Sequence, residues 1–215
     1  MNHIIPTLIL FLSFSGLPAT IASQWLLPIE VKNRTDLAEL KLSSIGQFGL
    51  ERKSRKTVPA HLHTGIDILR PNNNYDNEKI FPACKGVVIS IRNDGPFAQI
   101  IIEHRLANER LWTVYEHIAD ISCHVGDSVS PAVPIARFFS RSELNSYGWQ
   151  FDHFHFEVLR QRPSEILPTR ILPNRHYNTY ALTCYTYLEL IEKYYDPMNF
   201  FSSEFETASA DSLRH

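Results

Sequence analysis

The sequence predicts a mainly β chain, an antiparallel sandwich or partly open barrel with a partly helical C-terminal segment. Three observations carry this expectation. From about Lys85 onward, short β-branched runs alternate with turn signals: GVVISI, then NDGP, then QIIIEH, a polar stretch, then LWTVYEHI. Their polarity alternates with a period of two rather than 3.6, which suits half-buried strands. Val125-Gly126-Asp127-Ser128-Val129, followed by Pro131 and Pro134, reads as a tight turn between two further strands. Only two segments read as helix, Asp36 to Leu42 weakly and Thr183 to Tyr194 (TCYTYLELIEKY) more strongly, the second stopped by Asp196-Pro197.

The chain opens on MNHIIPTLILFLSFSGLPATIAS, whose apolar run from Ile4 to Phe14 is too short to span a bilayer as a helix. With Gly16 and Pro18 breaking the run and Thr20-Ile21-Ala22 supplying small residues, residues 1–23 read as an export signal cleaved after Ala22 or Ser23. Without cleavage the same run would be a membrane anchor. No other stretch approaches a transmembrane length, so the mature chain is expected to be soluble and exported, to the periplasm or outside the cell. About 190 residues then remain, enough for one domain. A net charge of −2 and a pI near 6.5 give no electrostatic reason to expect nucleic acid as a partner. The one basic cluster, Arg52, Lys53, Arg55 and Lys56, reads as a solvated loop or as a rim attracting an anionic polymer. Cys84, Cys123 and Cys184 are an odd set without CxxC spacing, which speaks against a cysteine-held zinc. Export permits a disulfide, and the expected one fastens Cys184 to Cys123 or Cys84.

Two polar clusters carry the chemistry. In DHFHFEV, His153, His155 and Glu157 alternate with Phe154 and Phe156, so on a strand the polar groups share one face and the rings the other. Same-face neighbours on a strand lie roughly 6.6 Å apart, close enough for two imidazoles to converge on one atom. In HLHTGIDI, His63 and Asp67 would stand roughly 13 Å apart on an extended strand, so the chain must bend between them, and Gly65 is placed to supply unusual dihedrals there. Two histidines and a carboxylate form a normal catalytic zinc shell, in which three protein ligands leave a fourth position for water. His63, Asp67 and one of His153 and His155 supply such a shell. His117, ending the strand of WTVYEHIAD, can join the spare histidine beside the water. His61, His104, His124 and His176 fall on no such pattern and read as structural or exposed; Trp112 and Tyr115 read as core.

The combination of HxxxD at His63 and Asp67, YxHI at Tyr115 to Ile118, and HxHxE at His153 to Glu157 resembles the lysostaphin or LytM-type (β-lytic) zinc endopeptidases, which cut peptide cross-links in bacterial cell wall. Phe48-Gly49 with Arg52 resembles the family's opening FGxR segment, PACKGVV its short strand before the site, VGDSVSPAVPIA its β-hammerhead turn and DPMNF its closing DP motif. The resemblance runs from about Ser44 to Phe201. It implies one zinc per chain held by His63, Asp67 and His155, with His117 and His153 as catalytic histidines that are not ligands. It implies hydrolysis of peptide bonds in peptidoglycan stems or cross-links by a metal-activated water flanked by those two histidines. Glu157 would accept a hydrogen bond from a ligand or position its strand.

The expected organisation is an export signal at 1–23, an N-terminal segment at 24–43 able to cover the groove, a zinc peptidase domain at 44–201 and a disordered tail at 202–215. Within the domain, 160–195 is longer than the minimal family pattern and is expected to form one wall of the groove with Tyr177, Tyr180, Tyr185, Tyr187, Arg170 and Arg175. NDGPFAQ stands where that pattern has a glycine-rich turn. The alternative function is a catalytically silent relative that binds cell wall or activates another hydrolase; the intact set of five residues speaks against it. A structural zinc or carrier-type domain would fit the hammerhead turn but leave two histidines unused. The sequence leaves the scissile bond and the oligomeric state open.

Overall fold

The computed structural model describes residues 24–106 and 109–212. The expected export signal lies outside the described residues. The central element is a seven-stranded sheet made of β1 (Ile66–Leu69), β2 (Gly86–Arg92), β3 (Gln99–Arg105), β4 (Arg110–Glu116), β5 (Ser128–Val129), β6 (His153–Leu159) and β7 (Tyr194–Tyr195). Its order is β7-β6-β4-β3-β2-β5, with every pair antiparallel. β1 and β7 divide one edge of β6: β1 pairs with His153 to Phe156, and β7 with Val158 and Leu159. The mainly antiparallel β architecture is the one the sequence predicts.

Alternation along the strands builds two apolar layers. Phe154, Phe156 and Val158 of β6, Tyr115 of β4 and Ile100 and Ile102 of β3 face the larger core, together with Ile66 and Ile68 of β1. Each is shielded from water, and burying a side chain of this size contributes roughly 1.5–3 kcal/mol. Ile101, Trp112, Val114 and Leu159 face the other way, under Cys184, Leu190 and Tyr194. The segment 160–195 is therefore the cover of the sheet's second face. It reaches across to β2, where the Ser90 hydroxyl accepts from the backbone N–H groups of His176 and Tyr177.

Four expectations are corrected. Residues 24–42 are not an arm over a groove: Trp25, Leu27 and Ile29 are buried in the larger core, and Leu26 and Ile29 are bonded or bridged to Ala83 and Ile80. Three large apolar residues in five positions cannot be left in water when a core face is open beside them. The tail is not disordered through 202–212, because Asp196-Pro197 starts a helix there rather than only ending one. This helix spans Pro197–Ser212; the Asp196 carboxylate accepts from Met198 N–H, and Phe201 stacks on Phe156 and Phe205. Proline at the first helical position loses no hydrogen bond, and the packed first turns carry the polar ones that follow. No disulfide joins Cys84, Cys123 and Cys184, which sit buried in separate places. Cys184 lies in the second apolar layer, whereas Cys84 and Cys123 lie in the first.

The fourth correction concerns helices. The segment 36–42 forms only a 3-10 turn at Leu37–Glu39, and TCYTYLELIEKY is helical only over Tyr187–Lys193, where Thr186 and Glu189 make a capping box. An unexpected helix spans Arg141–Tyr147, capped in the same way by Ser140 and Glu143. It leads through Gly148, whose φ of 114° favours glycine, into a 3-10 turn at Trp149–Phe151 and then β6.

Candidate metal centre

His63 follows a short strand pair, 51–52 with 61–62, and is fixed on both sides by backbone bonds to the facing segment, N–H to Leu50 carbonyl and carbonyl from Gly49 N–H. Two residues on, Gly65 lets the chain run against β6. A Cβ there would lie 2.2 Å from the Phe156 carbonyl oxygen and 2.9 Å from His155 Cε1. The need for glycine is therefore close approach; its φ is not among the positive ones, which corrects the dihedral reason expected from the sequence. β1 then sets Asp67 opposite His155 in the β1–β6 ladder.

The result is a tight triangle of buried atoms. His63 Nε2 lies 2.9 Å from His155 Nδ1, and each lies 3.1 Å from Asp67 Oδ1. The protons of both rings are directed elsewhere. His63 Nδ1 faces the Gln47 carbonyl at 2.9 Å, and His155 Nε2 faces Glu157 Oε1 at 3.0 Å; a carbonyl and a carboxylate only accept, so these nitrogens donate. In the neutral tautomers, three lone-pair atoms then converge on one point. Such a cluster repels itself unless a cation or a proton sits among the three, and a borderline N, N, O donor set suits zinc. Protonation shows the same demand. Although burial works against it, hydrogen bonding to Asp67 and Glu157 pushes His155 up to about 10. Burial would likewise raise Asp67, yet His155 and His63 hold its carboxyl far below the usual carboxylate range. Burial lowers the pKa of His63.

The remaining partners steady the triangle. Arg52 donates to Asp67 Oδ2 at 2.8 Å and leaves Oδ1 to the two histidines. Thr64 Oγ1 donates to Glu157 Oε1 at 2.5 Å, fixing the carboxylate that orients His155. Beside the triangle, His153 Nε2 stands 3.6 Å from Asp67 Oδ1, and the His117 ring is perpendicular to the His153 ring at 5.4 Å. His117 has a φ of 63°, in the left-handed region that non-glycine residues seldom enter, and its Nδ1 donates to the Pro96 carbonyl. Its Nε2 therefore carries the lone pair of the neutral ring. Burial lowers the pKa of both rings, to about 4 for His153.

All five residues singled out in the sequence are thus brought together, His63, Asp67 and His155 as the converging set and His117 and His153 beside it. Of the other histidines, His104 is fully buried, His61 is nearly so, and His124 projects into solvent. Two contributors escape a sequence reading, and a third is read there without its partner. Arg52, which reads both as part of a basic loop and as the arginine of the opening motif, belongs to the strand pair and ends on Asp67. Thr64 and the Gln47 carbonyl have no motif of their own. The segment 160–195 ends near the site: the Cys184 carbonyl accepts from Leu62 N–H, and the exposed Tyr187 ring lies against Gly49. Tyr177 and Tyr180, by contrast, pack into the second apolar layer.

Comparison with known proteins places these residues in context. The profile of the family described as peptidase family M23 matches residues 61–167. Among solved structures, the solution structure of lysostaphin is 18% identical over 78% of this chain and 52% of its own, with a TM-score of 0.45. A zinc-containing peptidase from Vibrio cholerae is 23% identical over 72% of this chain and 39% of its own, with a TM-score of 0.42. The complex of SpoIIIAH and SpoIIQ gives 20% identity over 61% of this chain and 92% of the matched chain, with a TM-score of 0.40. The chain thus spans about half of the lysostaphin chain and less of the Vibrio peptidase. No curated protein matches it.

Proposed function

This chain belongs, through residues 61–167, to peptidase family M23, and on that premise we propose that it is a zinc-dependent endopeptidase hydrolysing peptide bonds in bacterial peptidoglycan stems or cross-links. The observation that carries the proposal is the convergence of His63 Nε2, His155 Nδ1 and Asp67 Oδ1 with both imidazole protons turned outward. His63, Asp67 and His155 would hold the ion. Zinc bound there supplies Lewis acidity and brings the deprotonation of water into the neutral range.

The chain's own residues supply the rest. Arg52 and Glu157 bond the ligand set from outside and so would orient it for the ion. His117, its Nδ1 committed to the Pro96 carbonyl, presents Nε2 as a proton acceptor. His153, between His117 and Asp67, is placed to donate to an oxygen that gains negative charge. Two imidazoles on one side of the ligand triangle suit general acid-base work on an amide. Residues 1–23, read as an export signal, would deliver the protein to the bacterial envelope where such a substrate lies. Among the described residues no helix is long and apolar enough to cross a membrane.

Mass spectrometry of muropeptides after digestion tests the proposal. Shortened stem peptides should form with the zinc-loaded chain, vanish on chelation and return with zinc. Intact muropeptides with fully loaded protein would overturn the enzymatic reading and favour a silent wall-binding role.

A further inference from the structure

The catalytic histidines continue outward into a group of aromatic rings that the proposed peptide chemistry does not use. The His117 ring stands 4.8 Å from Phe151 and 6.0 Å from Phe97, and those two rings meet edge-on at 5.9 Å. From Phe151 the 3-10 turn leads back to Trp149, and the Tyr147 ring lies against Gly95 in the turn that carries Phe97. Phe97, Tyr147 and Trp149 are 43%, 38% and 49% exposed, whereas the chain's other two tryptophans are only 2% and 6% exposed.

These rings are held in place. Trp149 Nε1 donates to Asn145 Oδ1 at 2.9 Å, the indole packs on Tyr75 at 5.9 Å, and Tyr75 is in turn flanked by the guanidiniums of Arg70 and Arg141. The helix Arg141–Tyr147 and the turn after it, which have no counterpart in the motifs read from the sequence, serve to present them. Fixed, open aromatic rings with two amides beside them, Asn145 accepting from Trp149 through Oδ1 and Gln150 donating to the Tyr147 carbonyl through Nε2, suit a ring that is apolar on its faces and polar at its edges. That is the surface of a pyranose. A flexible stem peptide would gain less from fixed aromatic rings than a rigid sugar does, because more of its freedom must be lost to lie on them.

We infer that Phe97, Tyr147 and Trp149 form a saccharide subsite, joined to the catalytic histidines through Phe151, that takes an N-acetylated amino-sugar ring of the glycan strand bearing the scissile peptide. This rests on the proposed function and narrows it to substrates still attached to their glycan. The seat for a sugar beside the catalytic pair implies cleavage within a few residues of the stem's attachment point.

Two measurements test it, and the first needs no catalysis. Because Trp25 and Trp112 are buried away from any ligand, a ligand-induced change in intrinsic fluorescence reports mainly on Trp149. Titration of the zinc-loaded chain with the β-1,4-linked tetramer of N-acetylglucosamine should give a saturable change in emission, and Phe97→Ala should weaken the apparent Kd about tenfold with Trp149 still present as the reporter. No saturable change up to millimolar tetramer would overturn the inference, as would an equal response to a sugar-free stem peptide. The second is competition between a glycan-linked stem peptide and the same peptide stripped of sugar. In Trp149→Ala the preference in kcat/KM for the glycan-linked form should fall about tenfold, and Trp149→Phe should recover part of it. Equal loss on both substrates would refute the subsite. A chain that bound the tetramer yet cut neither substrate would uphold the subsite and refute the peptidase reading instead.

Discussion

Asp67 stands directly opposite His155 in the β1–β6 ladder, and its Oδ1 lies 3.1 Å from His155 Nδ1 across a sequence separation of 88 residues. The metal centre is therefore a property of strand register. A slip of one residue would turn Asp67 into the core and Ile66 or Ile68 out of it.

The first prediction concerns the ligands. His63→Ala and His155→Ala should each abolish stoichiometric zinc, measured by elemental analysis of the purified chain. Each removes a lone pair from a three-atom set and leaves too few donors for a stable site. Full occupancy in both variants would sink the assignment.

His117→Ala and His153→Ala should behave differently. Neither ring belongs to the converging triangle, so zinc content should stay near one per chain. Turnover of a peptidoglycan peptide should fall by about two to four orders of magnitude, the range for removing a positioned acid-base group or oxyanion donor. Near wild-type turnover in either variant would show that its ring only packs.

Glu157 offers a test of orientation from behind. Its Oε1 accepts from both His155 Nε2 and Thr64 Oγ1. Glu157→Gln should weaken zinc binding about 10- to 100-fold while leaving the fold intact, as read by competition with a chromophoric chelator. An unchanged zinc affinity would mean that the β1–β6 ladder alone orients the ring.

Gly65→Ala should be costly for a reason visible only in three dimensions. The added methyl would meet the Phe156 carbonyl at 2.2 Å, so β1 and β6 would have to part. A loss of about 1–3 kcal/mol is expected from overpacking of this kind, together with a weaker zinc site. An unaltered thermal midpoint would show that the chain can yield there.

What could be read in advance follows from what alternation and spacing encode. The HFHFE pattern fixes which face of β6 is polar, and the structure has Phe154 and Phe156 fully buried with His155 and Glu157 on the opposite face. Strand rhythm likewise gives β2 to β4. The converging atoms of His63 and Asp67 depend on a bend that the sequence marks with Gly65 but explains wrongly, because a close approach of two strands is a long-range fact. Arg52 was legible as part of an opening motif, but its partner was not: nothing in a run of basic residues says which one pairs with a carboxylate in another strand. The helix at Arg141–Tyr147 went unread: Ser140 and Glu143 have capping-box spacing, but short helices between strands carry too little periodicity to stand out. The tail was misjudged because its polar composition hides the packing of Phe205, which continues that of Phe200 and Phe201 just before it.

The last prediction concerns acid stability and His104, on the opposite face of the sheet from the metal centre. His104 is fully buried, its Nδ1 2.9 Å from the Lys85 carbonyl and its Nε2 2.8 Å from Thr113 Oγ1, with Trp25 packed on the ring. The carbonyl only accepts, so Nδ1 carries the proton and Nε2 the lone pair. A second proton would have to enter an apolar pocket, and burial pushes the pKa down to about 4. Of the neighbours that can titrate, Tyr115 is raised by burial and stays neutral throughout the acid range, and Glu103, from the next position on β3, favours the charged ring without outweighing burial. In the unfolded chain the same ring titrates near 6.5. Between those values the unfolded state binds more protons, so stability is fully present above about pH 6.5 and is lost as pH falls toward 4. The loss from this one group should be on the order of 2–3 kcal/mol by pH 4.5. Denaturant unfolding of the wild type and of His104→Gln at pH 7 and pH 4.5 isolates it, because the carboxylates and the metal centre titrate alike in both. His104→Gln should start less stable at pH 7 and lose less on acidification. Parallel losses in the two proteins would mean that His104 takes up its proton in the folded state at little cost.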